Sequence, residues 1–126
     1  MERISPVQRL LLLAAGLTQP EPAAAAWRQF RGLVEPGRED SDAEPLLAAV
    51  HRNLSRLGAE RIPYLSAAYL RSFGSNVRIL DTLATLVRSL NNSSIPVLLL
   101  DAAATVVAHE KDIGVRAIRD VHLLVP

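Results

Sequence analysis

The sequence has no cysteine and few aromatic residues, and each shortage excludes a class of site. Without cysteine the chain has no disulfides, no thiolate metal ligands and no cysteine nucleophile. The two tyrosines, Tyr64 and Tyr69, do not share a helix face, so they cannot form a platform on which bases stack. Neither a thiol-based centre nor an aromatic nucleic-acid surface is therefore expected.

An excess of either charge and a long apolar run are also missing. Fourteen basic and thirteen acidic side chains leave a net charge of +1, too small to hold a nucleic-acid backbone by counterion release. The apolar run Leu10–Leu17 is about half the length of a bilayer-spanning helix. Neither a nucleic acid nor a membrane is therefore expected as a partner.

The 126 residues are 49% hydrophobic, which is enough for one small globular domain. The segment Ser5-Pro6-Val7-Gln8 has the form of a capping box and predicts a helix over residues 6–16. The segment Thr18-Gln19-Pro20-Glu21 repeats this signature and predicts a second helix as far as Val34, with Trp27 and Phe30 in the core.

Further helices are predicted as far as residue 90. The segment Ser41-Asp42-Ala43-Glu44 is a third capping box, and the apolar spacing after it predicts a helix that stops at Gly58. Pro63 begins another helix, which we expect to break at Gly74, with Ser75 capping the next one.

The hydrophobic pattern changes after residue 94. Residues 95–100 and 121–125 are short apolar runs typical of buried strands, and a helix is predicted between them over residues 102–110. We therefore expect a mostly helical α+β fold, with a helical region at 1–93 and a strand-helix-strand unit at 94–126. Two strands alone make a weak sheet with unpaired edges. We therefore expect these edges to be covered by the helices, by a second copy of the chain, or by additional residues of a longer protein.

The chemically suggestive residues lie at the ends of these strands. Asp101 follows the first strand, while Asp120 and His122 are two residues apart, a spacing that puts both side chains on one face of a strand. Arg116 lies in the preceding loop, where its guanidinium could reach a phosphate oxygen. These residues predict a site for an anionic ligand or a metal ion.

The stretches 95–103 and 114–125 resemble the uncharacterised nucleotidyltransferase family of the polymerase-beta-like superfamily. In that family the first strand ends in Lys-Gly, and a Gly-x-Arg loop leads to an Asp-x-Asp-Leu-Leu-Val strand. The resemblance implies a helical amino-terminal region, a partial nucleotidyltransferase core and transfer of a nucleotidyl group from a nucleoside triphosphate. Two strand carboxylates would hold the Mg²⁺ that orients the phosphates.

The sequence departs from this pattern at three positions. Asp101 and Ala102 replace the Lys-Gly pair, and His122 replaces the second metal-binding carboxylate. By resemblance, Asp120 and His122 are the catalytic and metal-binding candidates, and Arg116, Asp101 and Ala102 are the nucleotide-binding ones. An anion at 101 repels a triphosphate, and imidazole is a poor ligand for Mg²⁺. We therefore expect a cytoplasmic nucleotidyltransferase-like protein that is catalytically degenerate or truncated, with Mg²⁺ bound only if activity remains.

Other interpretations of these residues stay open. Asp101 could be the N-cap of the following helix, and His122 a partly buried side chain without a ligand. Asp101, His109, Asp120 and His122 could together hold a transition metal. Alternatively, the chain is a non-enzymatic helical interaction module that pairs through its terminal strand, with a second copy or another protein.

Overall fold

A computed structural model describes residues 3–40 and 43–126, which form five helices and two short strands. The helices are α1 (Pro6–Gly16), α2 (Pro20–Leu33), α3 (Leu46–Arg56), α4 (Pro63–Asn92) and α5 (Asp101–Ala108). The strands are β1 (Leu98–Leu100) and β2 (His122–Leu124), which pair in antiparallel fashion. The prediction of a mostly helical α+β fold is confirmed.

The chain divides into two compact units, Met1–Tyr69 and Leu70–Pro126, and α4 contributes to both. The first unit is helical, and the second contains most of α4, α5 and both strands. The boundary that we predicted after residue 93 is a different one. It marks where a nucleotidyltransferase-like core would begin, and it stays a prediction. Within the described ranges no helix has the length and apolar character needed to cross a bilayer.

The first two helices begin close to their predicted positions, but only one has the predicted cap. The Ser5 hydroxyl accepts a hydrogen bond from the Gln8 N–H, and the Gln8 side chain accepts one from the Ser5 N–H, both at 3.1 Å. The capping box predicted at Thr18 is wrong. The N-cap is Gln19, which makes no capping bond, and α2 starts at Pro20, whose fixed φ suits the first helical position.

The third helix, α3, ends as predicted but begins later than the predicted capping box implies, because its N-cap is Pro45, which makes no capping hydrogen bond. It is followed by Gly58, which has a φ of +76° and closes the turn. Its predicted capping box includes Ser41 and Asp42, and these two residues lie outside the described ranges.

The predicted break at Gly74, with Ser75 as a new cap, is wrong because α4 is one continuous helix of 30 residues. A glycine inside a helix costs only about 1 kcal/mol relative to alanine. The apolar spacing continues on both sides of Gly74, so burial along the helix outweighs that cost.

The core of the first unit lies among α1, α2, α3 and the start of α4. Trp27 and Phe30 are buried there with their rings stacked 5.6 Å apart, which confirms their predicted place in the core. Asn53 is also buried, and its Nδ2 donates to the carbonyl oxygens of Ala14 and Leu17, each at 2.9 Å. One amide group of α3 thus satisfies two carbonyls at the end of α1.

The second unit has a smaller core formed by Leu83, Ala103, Val106 and Ile118. The two strands are shorter than predicted and are not buried, since Leu98 and Leu124 are both more than half exposed. Leu100 of β1 lies opposite His122 of β2. Because the strands are antiparallel, the end of β1 is adjacent to the start of β2. This register brings the residue after β1 next to the first residue of β2.

Candidate functional site

Asp101 is the residue at which the chain turns from β1 into α5. Its φ is +60°, in the left-handed region that aspartate tolerates better than most residues. The alternative reading of Asp101 as an N-cap is wrong, because the N-cap of α5 is Leu100 and no side chain caps that helix. Instead, the Asp101 carboxylate Oδ2 forms a hydrogen bond with Nδ1 of His122.

Asp101 and His122 form a pair that is open to solvent. Their side chains are 64% and 59% exposed, so the pair is not isolated from water. The hydrogen bond to the Asp101 carboxylate raises the pKa of His122 above its ordinary value, and the negative charges of Asp101 and Asp120 act in the same direction. At a pH below this raised pKa, the two side chains are an ion pair.

The predicted site residues around this pair are only partly assembled. Asp120 precedes β2, which begins at His122, so the two residues do not both belong to the strand as predicted. Asp120 is nevertheless near enough for its charge to act on the pKa of His122. Ala102, in the first turn of α5, is half-buried and adds no polar side-chain atom.

Arg116 is half-exposed, and its Nε lies 3.7 Å from Oε1 of Glu110. Its loop is held by Asn76 of α4, which is fully buried. Nδ2 of Asn76 donates to the carbonyl oxygens of Ile113 and Arg116, the latter at 2.6 Å, and its Oδ1 accepts from the Ile118 N–H at 3.0 Å. The backbone at Arg116 is therefore fixed by a side chain 40 residues earlier in the sequence.

Asn76 was not among the predicted site residues, although the sequence contains a signal for it. Asn76 is four residues before Leu80 and seven before Leu83, so it lies on the apolar stripe of the helix. A polar residue on such a stripe needs buried hydrogen-bond partners. The identity of those partners depends on the tertiary fold.

The donor atoms near the strand ends do not fit Mg²⁺. This ion takes oxygen ligands in octahedral geometry. Here one of the two predicted ligands is an imidazole, and its Nδ1 faces the Asp101 carboxylate. Among residues 3–40 and 43–126, no three His, Asp or Glu side chains are grouped closely enough to hold a metal ion.

A second polar cluster, in the first unit, was not predicted at all. The Arg31 guanidinium carbon lies 4.7 Å from the ring centre of Trp27 and 4.5 Å from that of Tyr64. Arg31 also contacts Glu39 at 3.0 Å, and the Tyr64 hydroxyl lies 2.8 Å from both oxygens of the same carboxylate. The Glu39 side chain is only 3% exposed. The cluster fixes the loop between α2 and α3 against the start of α4.

Glu39 stays ionised in this cluster. Burial acts to raise the pKa of Glu39, but the hydrogen bonds from its own backbone N–H, Tyr64 and Arg31, together with the Arg31 charge, outweigh burial and lower the pKa. We assign the cluster a structural role, since each polar atom of the carboxylate already has a partner.

Comparison with known proteins adds no relative. The chain matches no protein-family model, no curated protein and no solved structure. The resemblance to the uncharacterised nucleotidyltransferases therefore stays a prediction, based on residues 95–103 and 114–125.

Proposed function

We propose that the chain is a nucleotidyltransferase-like protein whose catalytic site is degenerate. The observation that supports this most is the hydrogen bond between Asp101 and His122. These two residues replace a lysine and a metal-binding carboxylate of the resembled family. Their contact accounts for both differences from the family together, because Asp101 is the hydrogen-bond partner of His122.

The charges at the site also support this function. In the resembled family a cation at position 101 would face the phosphates, whereas here a carboxylate stands at the same position and repels them. That carboxylate is balanced by His122 when the imidazole is protonated. Asp120 and Arg116 retain the family's residue types, but Arg116 lies beside Glu110. A cytoplasmic location, where nucleotides are found, is part of this proposal.

The experiment is a thermal melt of the whole chain with and without millimolar Mg²⁺ and ATP, since a ligand that binds only the folded state raises the melting temperature. The wild-type protein is expected to show no shift. The double variant Asp101→Lys/His122→Asp restores the family's residues at both positions, and Mg-ATP is expected to raise its melting temperature.

A matched control separates these effects from a change of net charge. The variant Asp81→Lys/His109→Asp makes the same charge changes at two exposed residues that do not belong to the pair, and it should not respond to Mg-ATP. A shift in the wild-type protein would contradict the degenerate site. A folded Asp101→Lys/His122→Asp variant that does not respond would contradict the nucleotidyltransferase likeness.

A second candidate function, self-association through the sheet, is favoured by a different observation. Leu98 and Leu124 are register partners in β1 and β2, and they are 55% and 56% exposed. With Pro96 and Val125 they line an apolar cleft of about 410 Å³. A two-stranded sheet with an exposed apolar face is marginal by itself. A second copy that places its own sheet on this face would bury both leucines.

Sedimentation of the purified chain tests this second candidate. The wild type should be a dimer, and Leu124→Lys should be a monomer because a charge replaces the exposed apolar side chain. Val107→Lys is the matched control, since Val107 is an exposed apolar residue of α5. It should remain dimeric. A wild-type chain that stays monomeric at high concentration would exclude this function.

A further inference from the structure

The first unit contains a cleft of about 470 Å³ that has an apolar lining and a charged rim. Its apolar lining includes Ala24 and Trp27 of α2, Leu54 of α3 and Ile62 of the following loop. Among the described residues, four charged side chains also line it, which are Glu21, Arg28, Glu60 and Arg61. Ligand sites for small molecules commonly combine such a lining with a few polar groups, in volumes of about 300–1,000 Å³.

Two of these four charges neutralise each other. Nη2 of Arg28 lies 2.6 Å from Oε1 of Glu21, and both side chains are largely exposed. This pair contributes no net charge to the rim. Glu60 and Arg61 therefore set the electrostatic character of the cleft.

Arg61 is held in place without being neutralised. Its Nη2 donates a hydrogen bond of 2.9 Å to the hydroxyl oxygen of Ser66, which is 6% exposed. A hydroxyl is a neutral acceptor, so the guanidinium keeps its charge and its remaining donors. A guanidinium with unused donors is suited to bind a carboxylate by two parallel hydrogen bonds.

Glu60 is the neighbour of Arg61 on the same rim. Within the described ranges Glu60 makes no hydrogen bond and no ion pair, so its carboxylate is available to a ligand. A ligand with only a negative charge would be attracted by Arg61 but repelled by Glu60. A ligand with only a positive charge would be attracted by Glu60 but repelled by Arg61. A ligand with one charge of each sign satisfies both residues.

We propose that this cleft binds a zwitterionic α-amino acid with an apolar side chain. Arg61 donates hydrogen bonds to the ligand's carboxylate, Glu60 accepts hydrogen bonds from its ammonium group, and the apolar lining around Trp27 and Leu54 contacts its side chain. This binding activity is independent of the nucleotidyltransferase-like function, since all its residues belong to the unit that ends at Tyr69.

Trp27 lines the cleft and is the only tryptophan in the chain, so its fluorescence reports on the site. The whole protein is titrated with L-leucine, with isocaproate, which lacks the ammonium group, and with isoamylamine, which lacks the carboxylate. Leucine should change the fluorescence saturably at millimolar concentration or below. Each analogue should bind at least about tenfold more weakly, because one charge-assisted interaction is lost.

Two variants remove one charge each. Glu60→Gln and Arg61→Gln should weaken leucine binding about tenfold, whereas the exposed controls Glu35→Gln and Arg9→Gln should not change it. Ala24→Leu, which fills the cleft without altering its charge, should abolish binding while the protein still folds.

Three results would overturn the proposal. They are the absence of a leucine-dependent change in the folded protein, equal binding of leucine and isocaproate, and unchanged binding by a folded Glu60→Gln variant.

Discussion

Oδ1 of Asn76, in the middle of α4, accepts a hydrogen bond of 3.0 Å from the backbone N–H of Ile118. Nδ2 of the same side chain donates to two carbonyl groups of the loop, at Ile113 and Arg116. Asn76 is fully buried, so water cannot replace these bonds. This one amide therefore links α4 to three backbone groups of the segment between α5 and β2.

Replacing Asn76 by alanine should destabilise the protein by about 3 kcal/mol, because buried loop groups lose their partners. Urea denaturation followed by circular dichroism measures this change in the free energy of unfolding. Asn91→Ala, at the exposed end of the same helix, is the control and should cost less than about 0.5 kcal/mol. Similar losses in the two variants would show that the Asn76 hydrogen bonds do not hold the loop.

The Tyr64 hydroxyl should contribute measurably to the stability of the first unit. It donates to the Glu39 carboxylate and accepts a hydrogen bond of 2.9 Å from the Gly37 N–H. Tyr64→Phe keeps the ring beside Arg31 but removes both bonds, and it should cost about 2 kcal/mol. Denaturant unfolding of the two proteins gives the difference. A variant as stable as the wild type would mean that Glu39 finds equivalent partners.

Glu39 should make the protein sensitive to acid. Its pKa in the folded state is lowered from the ordinary value of 4.5, so its ionised form stabilises the fold above that pH. This contribution is lost as the pH falls through the lowered pKa of the folded state. Unfolding measured between neutral pH and pH 3 should show a smaller acid-induced loss for Glu39→Gln than for the wild type. Parallel curves for the two proteins would be inconsistent with an ionised, buried Glu39.

Two glycines should respond in opposite directions to replacement by alanine. Gly74 lies inside α4, and a methyl group added there would meet no described atom within 4 Å beyond its chain neighbours and the nearby backbone of the same helix, so Gly74→Ala should stabilise the protein by about 1 kcal/mol. Gly58 has equal space but a φ of +76°, so Gly58→Ala should destabilise it by about 1 kcal/mol. Melting temperatures of the two variants test both signs. A destabilising Gly74→Ala would support the helix break that the sequence favours.

Local chemistry in the sequence predicted most of the helices but not all their limits. The capping box at Ser5 and the turn at Gly58 depend on neighbouring residues alone, and both were predicted correctly. The break at Gly74 was predicted wrongly because the prediction used only the low helix propensity of glycine. It did not include the stabilisation that burial of the rest of α4 provides. Tertiary packing regularly outweighs intrinsic helix propensity in this way.

The candidate site was predictable only as a set of residues. The sequence indicated Asp101, Asp120 and His122, but their contacts depend on the register that places Leu100 opposite His122. A shift of one residue would move His122 to the other face of the sheet. The cluster of Arg31, Glu39 and Tyr64 was missed because its members are far apart in sequence and no local pattern joins them.

The pairing of Asp101 with His122 is the central claim, and titration of the His122 imidazole by NMR tests it most directly. The Asp101 carboxylate raises the pKa of His122, so the stability from this pair is fully present below pH 6.5 and is lost as the pH rises through the raised value. In Asp101→Asn, which tolerates the same backbone conformation, the pKa of His122 should fall towards its ordinary value. The same His122 titration curve in the wild type and in Asp101→Asn would contradict the pairing.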